Sequence, residues 1–252
     1  MALRRWIVAG VACASLTGCG SAAVPPISPP PPPPAATTEA TKPARAPIAS
    51  PPIAFPRHGP RKWVIAPAQS GAPSGPGGQL WRYQVRIEKD ITGVPIATFA
   101  ETIRKTLADP RGWTTGDRRF ERVGAGSDYD FIVHLATPDT RDAMCGDTPD
   151  GYTSCRNGAN VMLNVARWAK GVPGFGGEAG NLALYRTYMI NHEIGHRLGY
   201  RHQRCPGTGD PAPVMQQQTL GLHGCTPQPW PYPKGELYQG PPGVYADRIP
   251  SS

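Results

Sequence analysis

Residues 192–202 read HEIGHRLGYRH, and no other stretch of the 252-residue chain restricts the fold as tightly. His192 and His196 are four apart. On an α-helix that spacing puts both imidazoles on one face with Cβ atoms roughly 5–6 Å apart, close enough to bind one Zn²⁺ at about 2.0–2.1 Å. Glu193 follows the first ligand at the edge of that face, placed to hold water rather than metal. Gly199 can take the left-handed conformation that ends a helix. The chain then turns back, and His202 reaches the metal as a third ligand. Three protein ligands leave the fourth position to water, which marks a catalytic rather than a structural zinc site. A helix with surface histidines is the competing reading, and the fixed offsets of Glu193, Gly199 and His202 weigh against it.

The first quarter of the chain does not support a fold. Residues 1–18 read as a signal, with Arg4 and Arg5 as the positive region and Trp6 to Leu16 as an apolar stretch too short to span a bilayer. The stretch ends in Leu16-Thr17-Gly18-Cys19, which resembles the lipobox of bacterial lipoproteins; that resemblance implies a lipidated Cys19 as the first mature residue. Cleavage after Ser21-Ala22-Ala23 is the alternative. Residues 19–60 are rich in Pro, Ala, Ser and Thr, with six consecutive prolines at Pro29–Pro34. Such a composition cannot bury enough apolar surface to offset the entropy of ordering. It predicts a disordered, extended spacer rising about 3.1 Å per residue where stiff, a stalk through a cell wall or a Pro-rich ligand for a partner module.

Charge and cysteines bear on location and partners. The net charge is +8; without Arg4 and Arg5 it is 24 basic against 18 acidic residues, or +6. The cations are dispersed, with no run of five, so they suit a solvated surface with possible affinity for acidic envelope polymers. There is no nucleic-acid motif and no internal repeat. Setting aside Cys13 in the signal and Cys19, four cysteines remain, and proximity favours the pairs Cys145–Cys155 and Cys205–Cys225. Each would add about 3 kcal/mol through loop closure and would agree with export. A second zinc site is the competing use of these thiols, though no CxxC pair is present.

Residues 61–252 are expected to form one domain with its core at about 78–240. Trp81, Tyr83, Val85 and Ile87 alternate along residues 80–88, a half-buried strand. After Pro95, residues 96–108 carry Phe99, Ile103 and Leu107 at helical spacing, and Asp109-Pro110 ends the helix. Residues 120–123 could form a short strand, and 129–136 a stronger, central one. His134 on that strand reads as a packed or sheet-face residue. A polar loop at 141–157, a strand at 158–166 and a glycine-rich connection at 171–180 follow. The active-site helix spans about 181–198, with Leu182, Tyr185 and Met189 on the side of His196 and Arg186 facing elsewhere. The order predicts an α+β domain, a twisted mixed sheet over a backing helix and an active-site helix.

HEIGHRLGYRH is similar to the HExxHxxGxxH signature of the metzincin zinc metallopeptidases. The longer pattern, through CPG, PVMQQQT and GC to PWPYP over about residues 60–240, resembles a family of secreted actinobacterial proteins assigned to zincin-like peptidases. The metzincin resemblance implies that Met215 in Pro213-Val214-Met215 is the methionine of the turn below the metal. It further implies that the strand at 158–165 is the edge strand on which extended substrate pairs. Gln216, Gln217 and Gln218 stand where some metzincins place a tyrosine ligand, and Tyr200, Tyr232 or Tyr238 could approach the site instead. Asp210 and Glu236, the ligands of other zincin types, become unnecessary beside His202. His223 is a spare ligand or a solvent-facing residue near Cys225, and His58 falls in the spacer with no role.

The expectation is a zinc-dependent endopeptidase, lipid-anchored through Cys19 outside the cytoplasmic membrane, acting on a peptide or protein. Glu193 would serve as general base, taking a proton from water and returning it to the leaving amine. The alternatives are a zinc-containing envelope binding lipoprotein that cleaves nothing, and a zinc amidase of a cell-wall linkage. Glu193 argues against the first, because a structural zinc needs no base beside it.

Overall fold

A computed structural model describes residues 51–175 and 181–250. The signal, Cys19, the spacer up to residue 50 and residues 176–180 of the glycine-rich connection lie outside the described residues. The domain is α+β, built on a mixed six-stranded sheet. The strands are β1 (Trp63–Ile65), β2 (Gln79–Glu88), β3 (Arg118–Arg122), β4 (Phe131–Ala136), β5 (Cys155–Asn157) and β6 (Asn160–Asn164). They lie in the order β1-β2-β4-β6-β5, with β3 joining β2. β2 is parallel to β3 and β4, and β4 to β6, while β1 and β5 run antiparallel at the ends.

Strand alternation divides two packed layers. Tyr83, Val85 and Ile87 of β2, Phe131, Val133 and Leu135 of β4, and Val161 and Leu163 of β6 share one core with the helices α1 (Ile96–Ala108) and α4 (Leu182–Arg197). Phe99, Ile103 and Leu107 supply the buried stripe of α1 as their spacing requires, and the helix starts at Pro95 and stops at Asp109. The other face holds a smaller cluster of Ala136, Met162, Cys145 and Cys155, with Trp63 and Met144 against it. This second layer comes from α2 (Pro138–Cys145), in a stretch read from sequence as loop. Along β2 the first half keeps exposed or half-buried side chains, while Tyr83 to Glu88 are buried on both faces apart from Arg86. Glu88, fully buried, is satisfied by the N–H groups of Arg61 and Thr137 at 2.8 Å each and by the Thr140 hydroxyl at 2.7 Å.

Three further expectations are corrected. Order begins upstream of both residue 61 and Gly78: Ala54 pairs with Thr92, Ile53 and Phe55 pack on the core, His58 faces Asp139, and β1 pairs with β2. Isoleucine and phenylalanine among the prolines at 51–56 provide the apolar area that the spacer composition as a whole lacks. The strand at 158–166 is shorter. Asn164 caps α3 (Val165–Lys170), accepting a hydrogen bond from the Ala166 N–H at 2.9 Å. Finally, β6 is not the sheet edge, because β5 pairs along it and is itself the terminal strand among the described residues.

The disulfides are Cys145–Cys155, which joins the end of α2 to β5, and Cys205–Cys225. Such bonds are compatible with an exported protein. No helix among the described residues is long and apolar enough to cross a membrane.

His134 is packed in the sheet, 1% exposed, with its Nε2 3.1 Å from Asn160 Oδ1 and its ring against Trp63. Burial, aided by the Arg86 charge, lowers its pKa from 6.5 to about 4. The unfolded chain therefore binds this proton more readily, and stability is lost as pH falls from the unfolded value toward the folded one. Urea unfolding should show a decline of about 3 kcal/mol from this group between pH 6.5 and 4. The difference in pH slope between wild type and His134→Gln measures it.

Candidate metal centre

The last two turns of α4 carry His192, Glu193 and His196. Asn181 opens the helix by accepting from the Leu184 N–H at 3.0 Å. Tyr185 and Met189 bury its inner face, while Arg186 turns away to donate to the Trp168 carbonyl and lie over that indole. The helix closes as the motif requires. Gly199 takes φ +98°, the Tyr200 N–H donates to the Gly195 carbonyl at 3.0 Å, and the chain reverses to bring His202 alongside.

The three histidines converge, with ligand atoms all within 4.8 Å of one another. Their second nitrogens are orientated by main chain. His192 Nδ1 lies 2.8 Å from the Val214 carbonyl and His196 Nδ1 2.9 Å from the Tyr200 carbonyl. A carbonyl only accepts, so both Nδ1 atoms carry the proton and both Nε2 atoms present lone pairs. Burial lowers the pKa of all three imidazoles, His202 to about 4, and the positive charge of one ring would further disfavour protonation of its neighbours at His192 and His202. The rings are therefore neutral at pH 7, the form that ligates.

That donor set fits a divalent cation. His196 Nε2 and His202 Nε2 stand 3.0 Å apart, a separation at which facing lone pairs need a proton or a cation between them. Tetrahedral ligation at about 2.0–2.1 Å corresponds to an N···N separation of about 3.3 Å, within a small adjustment of this geometry.

Met215 packs against α4 at Gly195. It is 2% exposed, its Sδ would be 2.5 Å from a Cβ built on Gly195, and its carbonyl accepts from the Gln203 N–H at 3.1 Å. The segment Val214–Met215 is thus tied both to α4 and to the turn beyond His202. Glu193 is 5% exposed and faces the cleft; its Oε2 is buried without a hydrogen-bond partner from the protein. Burial raises its pKa to about 8, against a smaller opposing effect of Arg141. A nearby cation would act in the opposite direction and favour the carboxylate.

The cleft measures about 360 Å³. Beyond the motif it is lined by residues that spacing did not single out: Tyr188, Asp147, Thr153, Arg156, Leu220 and Ile249 among them. Tyr188 was detectable as the i−4 neighbour of His192. Arg156, whose guanidinium donates to the His196 carbonyl at 3.1 Å, arrives through β5 and had no local signal. Ile249 reaches the cleft because the C-terminal stretch follows the His202 loop, with the Gly243 N–H donating to the His202 carbonyl.

The tyrosines considered as ligands do not line the cleft. Tyr200 stacks on Trp113, Tyr232 packs edge-on to the same ring, and the Tyr238 hydroxyl donates to the Pro211 carbonyl. Asp210 and Glu236 are also outside it, and His223 pairs with Asp247 and stacks on Tyr245 at the surface.

A cluster of one buried and two half-buried histidines, beside a carboxyl group with one unpartnered oxygen, defines an α+β domain able to hold a metal ion. Residues 50–233 match the family described as Protein of unknown function (DUF3152), and the chain belongs to that family. No curated protein and no solved structure matches the chain.

Gly195 is where the site is tightest. An added Cβ would stand 2.5 Å from Met215 Sδ and 2.8 Å from the Trp113 ring. The Gly195→Ala change gains about 1 kcal/mol of helix propensity, but overpacking costs roughly 1–3 kcal/mol. Net loss of stability in denaturant unfolding of metal-free protein is the expected outcome.

Proposed function

We propose that this protein is a zinc-dependent endopeptidase of the metzincin kind, displayed on the bacterial cell envelope. The observation that carries the reading is Glu193: a carboxylate held beside three converging imidazoles, facing a cleft, with one oxygen unpartnered. A buried carboxyl oxygen without a partner is costly, and a purely structural metal site has no use for it. The position of Met215 against Gly195 and the chain reversal at Gly199 also support the metzincin likeness.

His192, His196 and His202 would hold the ion. When bound, zinc supplies Lewis acidity and brings the pKa of water from about 15.7 toward 7. The chain's own residues do the rest. The carbonyls of Val214 and Tyr200 keep two imidazoles in the ligating tautomer. Glu193, which lines the cleft, would accept a proton from water and return it to the leaving amine. β5, the terminal strand of the sheet among the described residues, lines the cleft with Cys155 and Arg156 and would offer main-chain groups to an extended peptide. That strand favours a peptide substrate over a non-catalytic binding role or a compact cell-wall linkage. The disulfides support export, and anchoring through Cys19 completes the proposed location.

Glu193→Gln should keep its metal, by elemental analysis, and lose peptide-library cleavage by about 10²–10⁴-fold. Full activity in that variant removes Glu193 from the chemistry. Cleavage of cell-wall fragments but of no peptide would favour the amidase. His202→Ala should lose most of its bound zinc, and unchanged metal content would mean another third ligand.

A further inference from the structure

Trp113 stands 79 positions before His192 in the chain, yet it touches the metal motif at three points. It opens a short 3-10 turn, Trp113–Gly116, just beyond the end of α1, and it is fully buried. Its indole N–H donates 3.0 Å to the Asn191 carbonyl, the residue immediately before the first metal-site histidine. Its ring lies against α4 at Gly195, where an added Cβ would be 2.8 Å from Cζ2. Its face stacks on Tyr200, with ring centroids 4.6 Å apart and planes 28° from parallel.

Tyr200 is the other half of the contact. It sits between Gly199 and His202, in the reversal that brings the third histidine back. Its carbonyl orientates His196 Nδ1, and its N–H is bonded to Gly195. Its side chain does not line the cleft, so it is no ligand there. Arg118 also meets this residue, over the Tyr200 ring at 5.7 Å and with a guanidinium nitrogen 3.5 Å from the hydroxyl. The Tyr200 ring is therefore in contact with both Trp113 and Arg118 while its backbone serves the metal motif.

We propose that Trp113 and Tyr200 are positioning residues of the metal centre, a stacked brace that sets the separation and angle at which His196 and His202 present their Nε2 atoms. The inference rests on reading the three histidines as a metal centre. A turn after a helix has several accessible conformations, and only a contact outside the turn selects one. Here the indole is bonded to one end of the motif and stacked on the other, so it fixes the distance between them. Its own base is α1: the Gly112 N–H donates to the Asp109 carbonyl at 2.8 Å at the end of that helix. The Tyr232 N–H closes the same turn by donating to the Arg111 carbonyl at 2.9 Å.

The test uses Zn²⁺ affinity by chelator competition and the visible spectrum of the Co²⁺-substituted full chain. Loss of an outer partner of a metal ligand typically weakens affinity by about 10–100-fold. Tyr200→Ala, which keeps the carbonyl and removes the stack, should fall in that range and alter the cobalt bands. Tyr200→Phe retains the ring, its stack on Trp113 and the backbone contacts, and should stay within about twofold of wild type. Trp113→Phe, which loses the N–H to Asn191, should shift affinity in the same direction as Tyr200→Ala. Should that buried change prevent folding, the Tyr200 pair alone decides the matter. If Tyr200→Ala lowers the melting temperature of the metal-free protein but leaves zinc affinity and the cobalt spectrum unchanged, the brace is only structural and the proposal fails. Wild type that binds neither ion overturns the metal reading, and the brace with it.

Discussion

The hydrogen bond from His192 to the Val214 carbonyl is the contact on which the rest of the site depends. An imidazole has two nitrogens, and fixing the proton on one of them leaves the lone pair on the other. The bond also joins α4 to a segment 22 residues further along, so ligand orientation and tertiary closure are one event. Val214 is held there because Met215 packs against Gly195 and receives the Gln203 N–H. If that segment shifts, the histidine, the supporting methionine and the turn beyond His202 shift together.

The sheet contributes by placing this assembly against a cleft. Parallel β2, β4 and β6 bury one face under α1 and α4, which fixes the height of α4 over the sheet. The opposite face carries the smaller cluster with α2, and buried Glu88 there accepts from three donors. α2 ends in the disulfide to β5, so the covering layer and the terminal strand beside the cleft are covalently tied. Arg156 reaches the His196 carbonyl from that strand.

Much of this was legible locally. Phe99, Ile103 and Leu107 report α1 because a 3.6-residue period exposes itself within thirteen residues. The spacing of His192, His196, Gly199 and His202 reports a helix with a reversal for the same reason. The cysteine pairing followed from short separations. α2 and α3 were hidden because they are short, eight and six residues, and their burial comes from partners far away in sequence. The apolar pattern of 160–164 showed a strand but not its neighbours. Only pairing with Cys155–Asn157 moved it from the edge to the interior of the sheet.

The sequence by itself determined the donor set: three imidazoles and a carboxylate at offsets that one helix and one turn can converge, within an α+β chain carrying two cystines. The tertiary structure decided their state. The carbonyls that select the tautomers, the burial that keeps the rings neutral, the loss of partners around Glu193 and the stack of Trp113 on Tyr200 are contributed by residues distant in the chain. A local motif encodes which atoms can approach one another. Desolvation and hydrogen bonding arise only when separate segments exclude water together, and no periodicity within a single segment records them.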